Sequence, residues 1–239
     1  MKYIYGPIKS RRLGLSLGLS LSLDKRCNLN CIYCQWGRTP SVVSGRGEYA
    51  RADDIIAELK LWLKNNPQEA KELSYVTLSG LGEPTLSTCI EELIVRSKEL
   101  TGAKVAVITN STLLGDPSVR KSILGADLIV PSLDSADEEV FRQIDRPAAG
   151  IRLEDIIDGL IALRREFRGQ IWLEVMFVSG LNDDIDSVER LRKVIQRINP
   201  DRIQLNSPVR STAEKNVLPV EKVKLETIRS ILGSRAEII

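Results

Sequence analysis

The sequence contains no histidine, which removes the side chain that most often transfers protons and ligates metals at neutral pH. Any proton transfer must therefore use Asp, Glu, Lys, Tyr or water. A zinc site built from four Cys or His ligands is disfavoured as well. Without histidine it would need all four cysteines, and Cys89 is far in sequence from the other three. Long apolar runs are also missing, and none approaches the ~20 residues that a membrane helix needs.

The amino-terminal residues have no hydrophobic core of the kind found in a signal peptide, so we expect a cytoplasmic protein. The 239 residues are 43% hydrophobic and 28% charged, which is typical of one globular domain with a real core. We expect a single domain over 1–239. Its predicted parts are an amino-terminal lip and first strand (1–23), a cysteine loop (24–37) and the remaining β/α units (38–239).

Basic and aromatic side chains are concentrated near the amino terminus. Residues 1–51 carry nine Lys and Arg against Asp24 and Glu48, although the net charge of the whole chain is only +2. Five of the eleven aromatic side chains lie in the same segment. Such a segment can bind an anionic substrate or stack on a base. It can equally be a solvated surface, and the sequence does not decide between them.

Three of the four cysteines, Cys27, Cys31 and Cys34, form a C-x3-C-x2-C pattern after a strand-like run. Three thiolates can hold three irons of a [4Fe–4S] cube and leave the fourth iron open to a ligand. The alternatives are zinc, a disulfide and unreactive buried cysteines. The lack of His and the sequence distance to Cys89 argue against zinc. Three cysteines within eight residues suit a disulfide framework poorly. We therefore predict the cluster.

Strand and helix patterns alternate along the chain. Leucines alternate with Gly and Ser over 13–23, which indicates a strand whose small-residue face packs closely or lies near a ligand. The stretch 6–14 is predicted to be a basic, turn-rich segment. Further strands are predicted at 74–79, 104–109, 127–133, 171–178, 201–206 and 236–239, and helices at 52–65, 88–100, 116–124, 153–168, 184–198 and 219–232. Six β/α units in series predict an α/β fold with a parallel sheet and right-handed crossovers.

Polar side chains recur where the predicted strands end, which is where parallel β/α folds build their sites. They are Glu83 after a glycine turn, Asn110, Ser132, Asp134, Asn182, Asn206 and Arg210. Each alone is better explained as a loop or cap residue, but their recurrence at the same end of successive strands favours a site. Glu174 lies inside an apolar strand. It either lines the interior of the sheet or sits under a helix with an arginine partner.

The cysteine spacing, with Tyr33 directly before the third cysteine, resembles the signature of the radical S-adenosylmethionine (SAM) superfamily. The resemblance implies that Cys27, Cys31 and Cys34 hold a [4Fe–4S] cluster whose open iron binds SAM. One electron then cleaves SAM to a 5′-deoxyadenosyl radical, which abstracts hydrogen from a substrate. The resemblance also implies a partial (β/α)6 TIM-like barrel with a parallel sheet and an open lateral mouth.

Further segments resemble the cofactor-binding elements of that superfamily. Gly80 to Glu83 is similar to its Gly-Gly-Glu element with Leu81 inserted, which implies that Gly80, Gly82 and Glu83 receive the amino group of SAM. The backbone of Tyr33 is expected near the adenine. The residues expected to line the rest of SAM are Asn110, Ser132, Asp134 and Asn182.

A narrower resemblance is to small proteins related to the tRNA wyosine-base synthases. It is carried by Ser10 to Gly14, Gly80 to Leu86, Thr109-Asn110, Ser132 to Asp134 and Asn206 to Arg210. Those synthases condense pyruvate with N-methylguanosine in tRNA, and archaeal forms carry a second cluster on additional cysteines. This chain has only Cys89 to spare, so we expect no second cysteine-bound cluster.

Three substrate classes remain open: a tRNA base, a glycine of a partner protein as in activating enzymes of glycyl-radical proteins, and a small metabolite. A metabolite would be favoured if the rings of Trp172 and Phe177 faced the interior. The residues predicted to bind substrate are Arg11, Arg12, Glu174, Asn206 and Arg210. We expect an external electron donor of the ferredoxin or flavodoxin type. The alternative from another class is an iron–sulfur electron carrier that never cleaves SAM, although such carriers usually bind clusters through four thiolates.

Overall fold

The computed structural model describes residues 1–10 and 12–239, and an eight-stranded sheet forms its centre. The strands lie side by side in chain order: β1 (Ile4–Ser10), β2 (Gly14–Ser20), β3 (Tyr75–Ser79), β4 (Lys104–Thr109), β5 (Leu128–Pro131), β6 (Gln170–Met176), β7 (Arg202–Asn206) and β8 (Ala236–Ile238). β1 is antiparallel to β2, and each later neighbouring pair is parallel. β1 and β8 are the two ends of this order, so the sheet is not closed into a barrel. The predicted α/β class and parallel sheet are confirmed.

Helices follow most of the parallel strands. They are α1 (Ala52–Asn65), α2 (Pro67–Glu72), α3 (Ile90–Thr101), α4 (Pro117–Ile123), α5 (Glu138–Asp145), α6 (Leu153–Glu166), α7 (Ile185–Ile198) and α8 (Lys222–Leu232), with a 3₁₀ turn at Pro84–Leu86. Three begin at aspartate caps that accept a backbone N–H: Asp116, Asp137 and Asp184. In the described part of the chain, no helix is long and apolar enough to cross a membrane.

The two faces of the sheet have different cores. Leu17 and Leu19 of β2 belong to the main core, together with Ile55 and Leu59 of α1, so this face packs against helices. The inner face carries a smaller cluster made of Leu13, Ala106, Leu128, Val130 and Trp172. The small residues of β2 allow close packing, which is one of the two explanations that the sequence suggests. A Cβ on Gly18 would lie 2.0 Å from the ring of Tyr5 in β1, so glycine is needed for β1 to pack there.

The amino-terminal stretch differs from the sequence-based expectation. Residues predicted as a turn-rich segment include most of β1, which pairs with β2 from Ile4↔Leu19 to Ser10↔Gly14. Pro7 obscured this strand because proline cannot donate to a sheet ladder. The register shifts between Tyr5 and Ile8, and this irregularity on an edge strand accommodates the proline.

Two short helices were also not predicted. α2 begins at Pro67, directly after the predicted and observed end of α1 at Asn65. α5 begins after Asp137, whose carboxylate accepts hydrogen bonds from the N–H groups of Glu139 and Val140. Both helices are too short for a 3.6-residue period to stand out. The omission of α5 matters because its last residue, Asp145, lies beside the cysteine loop.

Candidate functional site

The cysteine loop lies between the turn after β3 and the end of α5, and backbone hydrogen bonds fix it on both sides. The N–H of Arg26 donates to the carbonyl of Leu81 (3.2 Å), and the N–H of Glu83 donates to the carbonyl of Arg26 (2.8 Å). Farther along, the N–H of Ile32 donates to the carbonyl of Ile144 (2.9 Å). The loop is therefore held at the carboxyl ends of the strands, as the sequence predicts.

Glycines in the turn after β3 permit this close approach. A Cβ on Gly82 would lie 1.8 Å from the carbonyl oxygen of Arg26, so a larger residue does not fit under the loop. Gly80 has a φ of +118°, and a Cβ there would lie 2.7 Å from Ser20 Oγ. Both glycines thus have a packing role, and their contact with SAM stays a prediction.

The three cysteines of the loop are free, half-buried thiols, and each has a polar neighbour. The pairs are Asn110 Nδ2 with Cys27 Sγ (3.6 Å), Asp145 Oδ1 with Cys31 Sγ (3.2 Å) and Lys25 Nζ with Cys34 Sγ (3.1 Å). Cys89 lies elsewhere, with its Sγ 3.1 Å from Ser87 Oγ and 3.5 Å from the carbonyl oxygen of Ala50. The structure therefore separates three thiols of one loop from the fourth.

Burial makes two of these thiols reluctant to ionise. It raises the pKa of Cys27 to about 11. It also raises the pKa of Cys31 well above the usual value, and the nearby carboxyl of Asp145 adds to the effect. Because thiolate is the form that ligates metal, metal binding must displace protons from these residues. The loop is suited to thiols that stay protonated until metal arrives.

Glu83 is buried and joins the ends of β3 and β4. Its Oε1 accepts hydrogen bonds from the N–H (2.9 Å) and hydroxyl (2.6 Å) of Thr85 and from the hydroxyl of Thr109 (2.7 Å). Its Oε2 accepts from the N–H of Asn110 (2.6 Å). Burial raises the pKa of Glu83 although these bonds oppose the shift. Oε2 has capacity for a further donor, which is what the predicted ammonium contact requires.

Tyr33, Asp134 and Asp145 form a buried polar group. The Tyr33 hydroxyl donates to Asp134 Oδ2 (2.5 Å) and lies 3.4 Å from Asp145 Oδ1, while Asp134 Oδ1 accepts from the N–H of Met176 (2.8 Å). Burial raises the pKa of Asp134 to about 6. Burial and then the charge of Asp134 raise the pKa of Asp145 well above its usual value. Two close carboxyls in one dry site resist ionising together.

Asn182 and Ser132 lie next to this group. Asn182 is buried; its oxygen accepts from the N–H of Val178 (2.8 Å), and its amide donates to the carbonyls of Asp134 (2.8 Å) and Met176 (2.9 Å). The carbonyl of Ser132 accepts from the hydroxyl of Ser111 (2.8 Å). Asn182 thus ties the turn after β5 to the turn after β6, and the contacts of both residues with SAM stay predictions.

Two of the predicted substrate contacts pair with each other. Arg12, in the turn between β1 and β2, forms an ion pair with Glu174 of β6 and donates to Gln204 Oε1 of β7 (3.0 Å). Glu174 lies on the inner face, because its neighbours Leu173 and Val175 belong to the helix-side core. The turn therefore reaches across the interior of the sheet. Arg11 lies outside the described residues, so its predicted contact is not addressed by the structure.

The other predicted substrate contacts lie after β7. The carbonyl of Asn206, the last residue of β7, accepts from the N–H of Phe177 (2.8 Å). Arg210 is exposed and donates to Gln35 Oε1 of the cysteine loop (2.8 Å). Glu214 belongs to the same segment, and its N–H donates to the carbonyl of Ile32 (3.0 Å). The segment 207–221 therefore lies against the cysteine loop.

Comparison with known proteins decides the family. Residues 22–192 match the family model described as the Radical SAM superfamily, and this range contains the cysteine loop and the four central strands β3 to β6. The chain belongs to the radical SAM superfamily. It is accordingly an enzyme that uses a [4Fe–4S] cluster and SAM, and it needs an electron donor and a substrate.

Relatives of this radical SAM protein include longer chains. It is 34% identical over 241 residues to a UPF0026 protein of Methanocaldococcus jannaschii, covering 100% of this chain and 73% of that protein. It is 36% identical over 237 residues to a protein of Brachyspira hyodysenteriae named GTPase Obg, covering 99% of this chain. The chain spans only 34% of the length of that second protein.

A solved structure resembles this radical SAM fold. TYW1 with a lysine-pyruvate adduct bound superposes with a TM-score of 0.68 at 22% sequence identity. The match covers 91% of this chain and 72% of that one. At 22% identity, the similarity establishes a shared fold and nothing more.

The residues of the cysteine loop fit the cluster that the superfamily binds. They supply three unpaired thiols on one segment, and the donors beside two of them can hydrogen-bond to a thiolate. In the part of the chain that the structure describes, no three Cys, Asp or Glu side chains are arranged to hold a single metal ion. Cys27, Cys31 and Cys34 would hold three irons of a cluster, and SAM bound at the fourth would supply the radical.

Several residues of this radical SAM site escaped prediction. Lys25 and Asp145 contact cysteine sulfurs, and Glu214 bonds to the cysteine loop. Lys25 sits two positions before Cys27, so its proximity was readable from the sequence. Asp145 and Glu214 are distant in sequence and reach the loop only through the fold. No local pattern points to them.

Proposed function

We propose that this radical SAM enzyme abstracts hydrogen from a nucleobase and that its macromolecular substrate is tRNA. One observation carries the proposal: Trp36, on the cysteine loop just after Cys34, leaves 54% of its surface exposed. An exposed tryptophan beside a catalytic centre offers a face on which a base can stack. The alternative is that Trp36 is an isolated surface aromatic residue without a functional role.

The charges around Trp36 favour the stacking explanation. Arg38 lies two residues after it, where it also pairs with Glu214, and Arg210 bonds to Gln35 on its other side. Both arginines are exposed, and the amino-terminal segment that includes the loop is strongly basic. Aromatic faces flanked by cations are the usual means of binding single-stranded nucleic acid. The resemblance to the wyosine-base synthases, which act on a tRNA guanosine, points to the same class of substrate.

The inner face of the sheet is less suited to a purely apolar metabolite. Trp172 belongs to the inner cluster, but Phe177 is fully buried in the helix-side core. Arg12, Glu174 and Gln204 place charge and hydrogen-bonding groups on the inner face. These groups match a polar, hydrogen-bonding base better than a hydrocarbon chain.

The protein would orient the reactants rather than perform the difficult chemistry, which belongs to the cofactor. SAM bound at the cluster would supply the primary radical. The proposed contacts of this chain are the Oε2 of Glu83 with the SAM ammonium, and Asn110, Ser132, Asp134 and Asn182 along the rest of SAM. Arg12, Glu174 and Asn206 would position the base.

The electron would come from outside the chain. Cys89 is too isolated to help hold a second cluster, so we propose a ferredoxin- or flavodoxin-type donor. The four free cysteines favour a reducing compartment, and we propose the cytoplasm.

The chemistry can be tested directly. The protein is reconstituted anaerobically with iron and sulfide, reduced, and given SAM carrying deuterium at C5′ together with tRNA from a strain that lacks the gene. We expect 5′-deoxyadenosine and a mass change in one nucleoside after tRNA digestion, and neither with Cys31→Ala. Product formed only with a partner protein, or with a small-metabolite pool, would contradict the tRNA assignment but leave the radical chemistry in place.

The binding surface has its own test. Trp36→Ala should weaken tRNA binding by about tenfold, since base stacking on an aromatic contributes ~1–3 kcal/mol. Arg210→Ala should lower the slope of log affinity against log salt by about one. Leu61→Ala and Arg165→Ala, which alter exposed residues on α1 and α6, are matched controls. Equal affinity in all four variants would rule out this surface.

A further inference from the structure

Lys25 is held beside one cluster ligand. Its Nζ lies 3.1 Å from Cys34 Sγ and also donates to the carbonyl of Gly37. The side chain is half-buried, so it is not a freely moving surface lysine. The ammonium therefore bridges a cysteine sulfur and a backbone carbonyl.

The backbone at the end of the cysteine loop is shaped to present that carbonyl. The N–H of Gly37 donates to the carbonyl of Cys34 (3.1 Å), which closes a tight turn. Gly37 has a φ of +75°, in the left-handed region that glycine tolerates best. The turn holds its carbonyl and Cys34 Sγ on either side of one cation. Lysine carries three donors on its ammonium and can serve both at once.

The three thiols consequently differ in their electrostatic surroundings. Cys34 faces a cation, Cys27 faces the neutral amide of Asn110, and Cys31 faces the carboxyl of Asp145. Reduction adds one negative charge to a cluster, and charged donors to its sulfurs stabilise the more negative state. The ammonium of Lys25 would therefore stabilise added negative charge on the side of the cluster that Cys34 binds.

We propose that Lys25 raises the reduction potential of the cluster, so that the enzyme can accept its electron from a milder donor. Lys25 touches a ligand and not the reacting atoms, so it is a positioning residue. The electron comes from an external one-electron donor, and the lysine itself gains and loses nothing. The inference depends on the cluster of the superfamily and is independent of the proposed tRNA substrate.

The test is a redox titration without SAM or substrate. Wild-type protein, Lys25→Met, Lys25→Gln and Lys25→Arg are reconstituted anaerobically, and the paramagnetic signal of the reduced cluster is followed against applied potential. Lys64→Met, which removes a lysine at the end of α1, is the matched control. We expect Lys25→Met to lower the ratio of reduced to oxidised cluster at a fixed potential by about tenfold, or ~59 mV for one electron.

The other variants separate charge from hydrogen bonding. Lys25→Arg keeps the charge and should stay near the wild-type potential, whereas Lys25→Gln keeps a neutral donor and should fall between wild type and Lys25→Met. The iron and sulfide content of each variant should be unchanged. A wild-type potential in Lys25→Met overturns the proposal. So does loss of the cluster in both Lys25→Met and Lys25→Gln but not in Lys25→Arg, because Lys25 would then act in assembly.

Discussion

The most exacting test of the site geometry is Gly82→Ala, a change of one methyl group. A Cβ at this position would lie 1.8 Å from the carbonyl oxygen of Arg26, whereas such contacts essentially never fall below 3.0 Å. The turn after β3 and the cysteine loop must therefore separate by at least 1.2 Å, the difference of those two distances. Backbone atoms are on both sides, so no side-chain rotation relieves the clash.

The cost can be worked out from the contacts that separation breaks. Two backbone hydrogen bonds link loop and turn, Arg26 to Leu81 (3.2 Å) and Glu83 to Arg26 (2.8 Å). Their loss costs about 1 kcal/mol each. Overpacking adds ~1–3 kcal/mol. A total of about 3–5 kcal/mol corresponds to a fall in Tm of roughly 6–20 °C for a domain of this size.

The assay combines thermal unfolding with iron content after anaerobic reconstitution. Gly82→Ala should unfold earlier and retain less iron, because the loop that carries the thiols no longer docks. Gly45→Ala is the matched control, since nothing lies within 4 Å of a Cβ built there. If Gly82→Ala matched Gly45→Ala in both Tm and iron per protein, the docking of the loop on this turn would be refuted.

Three further predictions concern buried charge and the segment after β7. Burial raises the pKa of Asp134 from 3.8 to about 6, so the folded apoprotein binds a proton that the unfolded chain has released. The stability of the apoprotein should therefore fall as pH rises above 3.8, and Asp145, whose pKa is also raised, should extend the decline to higher pH. Asp134→Asn should make this pH dependence shallower in thermal unfolding. Arg12→Met should cost about 2 kcal/mol by leaving Glu174 unpaired, and adding Glu174→Gln should restore most of it; simple additivity in denaturant titrations would contradict the ion pair. Glu214→Ala removes bonds to Arg38 and Arg146 and should speed hydrogen exchange across 207–221, with an unchanged rate counting against the contact.

Long periodic elements were predictable from the sequence, and the central strands were the clearest of them. The alternating leucines of β2 indicate a strand with one buried face. Leu17 and Leu19 are fully buried on the face that packs against helices. α1 was predicted with its observed bounds, because apolar residues recur at helical spacing between Arg51 and Asn66. In both cases one local pattern agrees with the tertiary packing.

Elements that depend on distant partners were not predictable. β1 contains Gly6 and Pro7, which are unfavourable in strands. It forms because its backbone pairs with β2 and because Gly18 leaves space for the ring of Tyr5. Within the site, the cysteine pattern is local, so the sequence alone identifies the loop. Asp145 reaches Cys31 from more than a hundred residues away in sequence, and only the fold brings the two together.

The sequential strand order has a consequence for how the chain is made. Every strand of the sheet pairs with its neighbours in sequence, so the sheet can grow in the order in which the ribosome delivers it. Four partners of the cysteine loop, Gly82, Asn110, Ile144 and Asp145, precede α6, whereas two others, Arg210 and Glu214, follow β7. A nascent chain that has emerged up to α5 contains the first four of these partners and lacks Arg210 and Glu214. The cysteine loop can thus dock on the turn after β3 and on α5 first, and the segment after β7 covers it last.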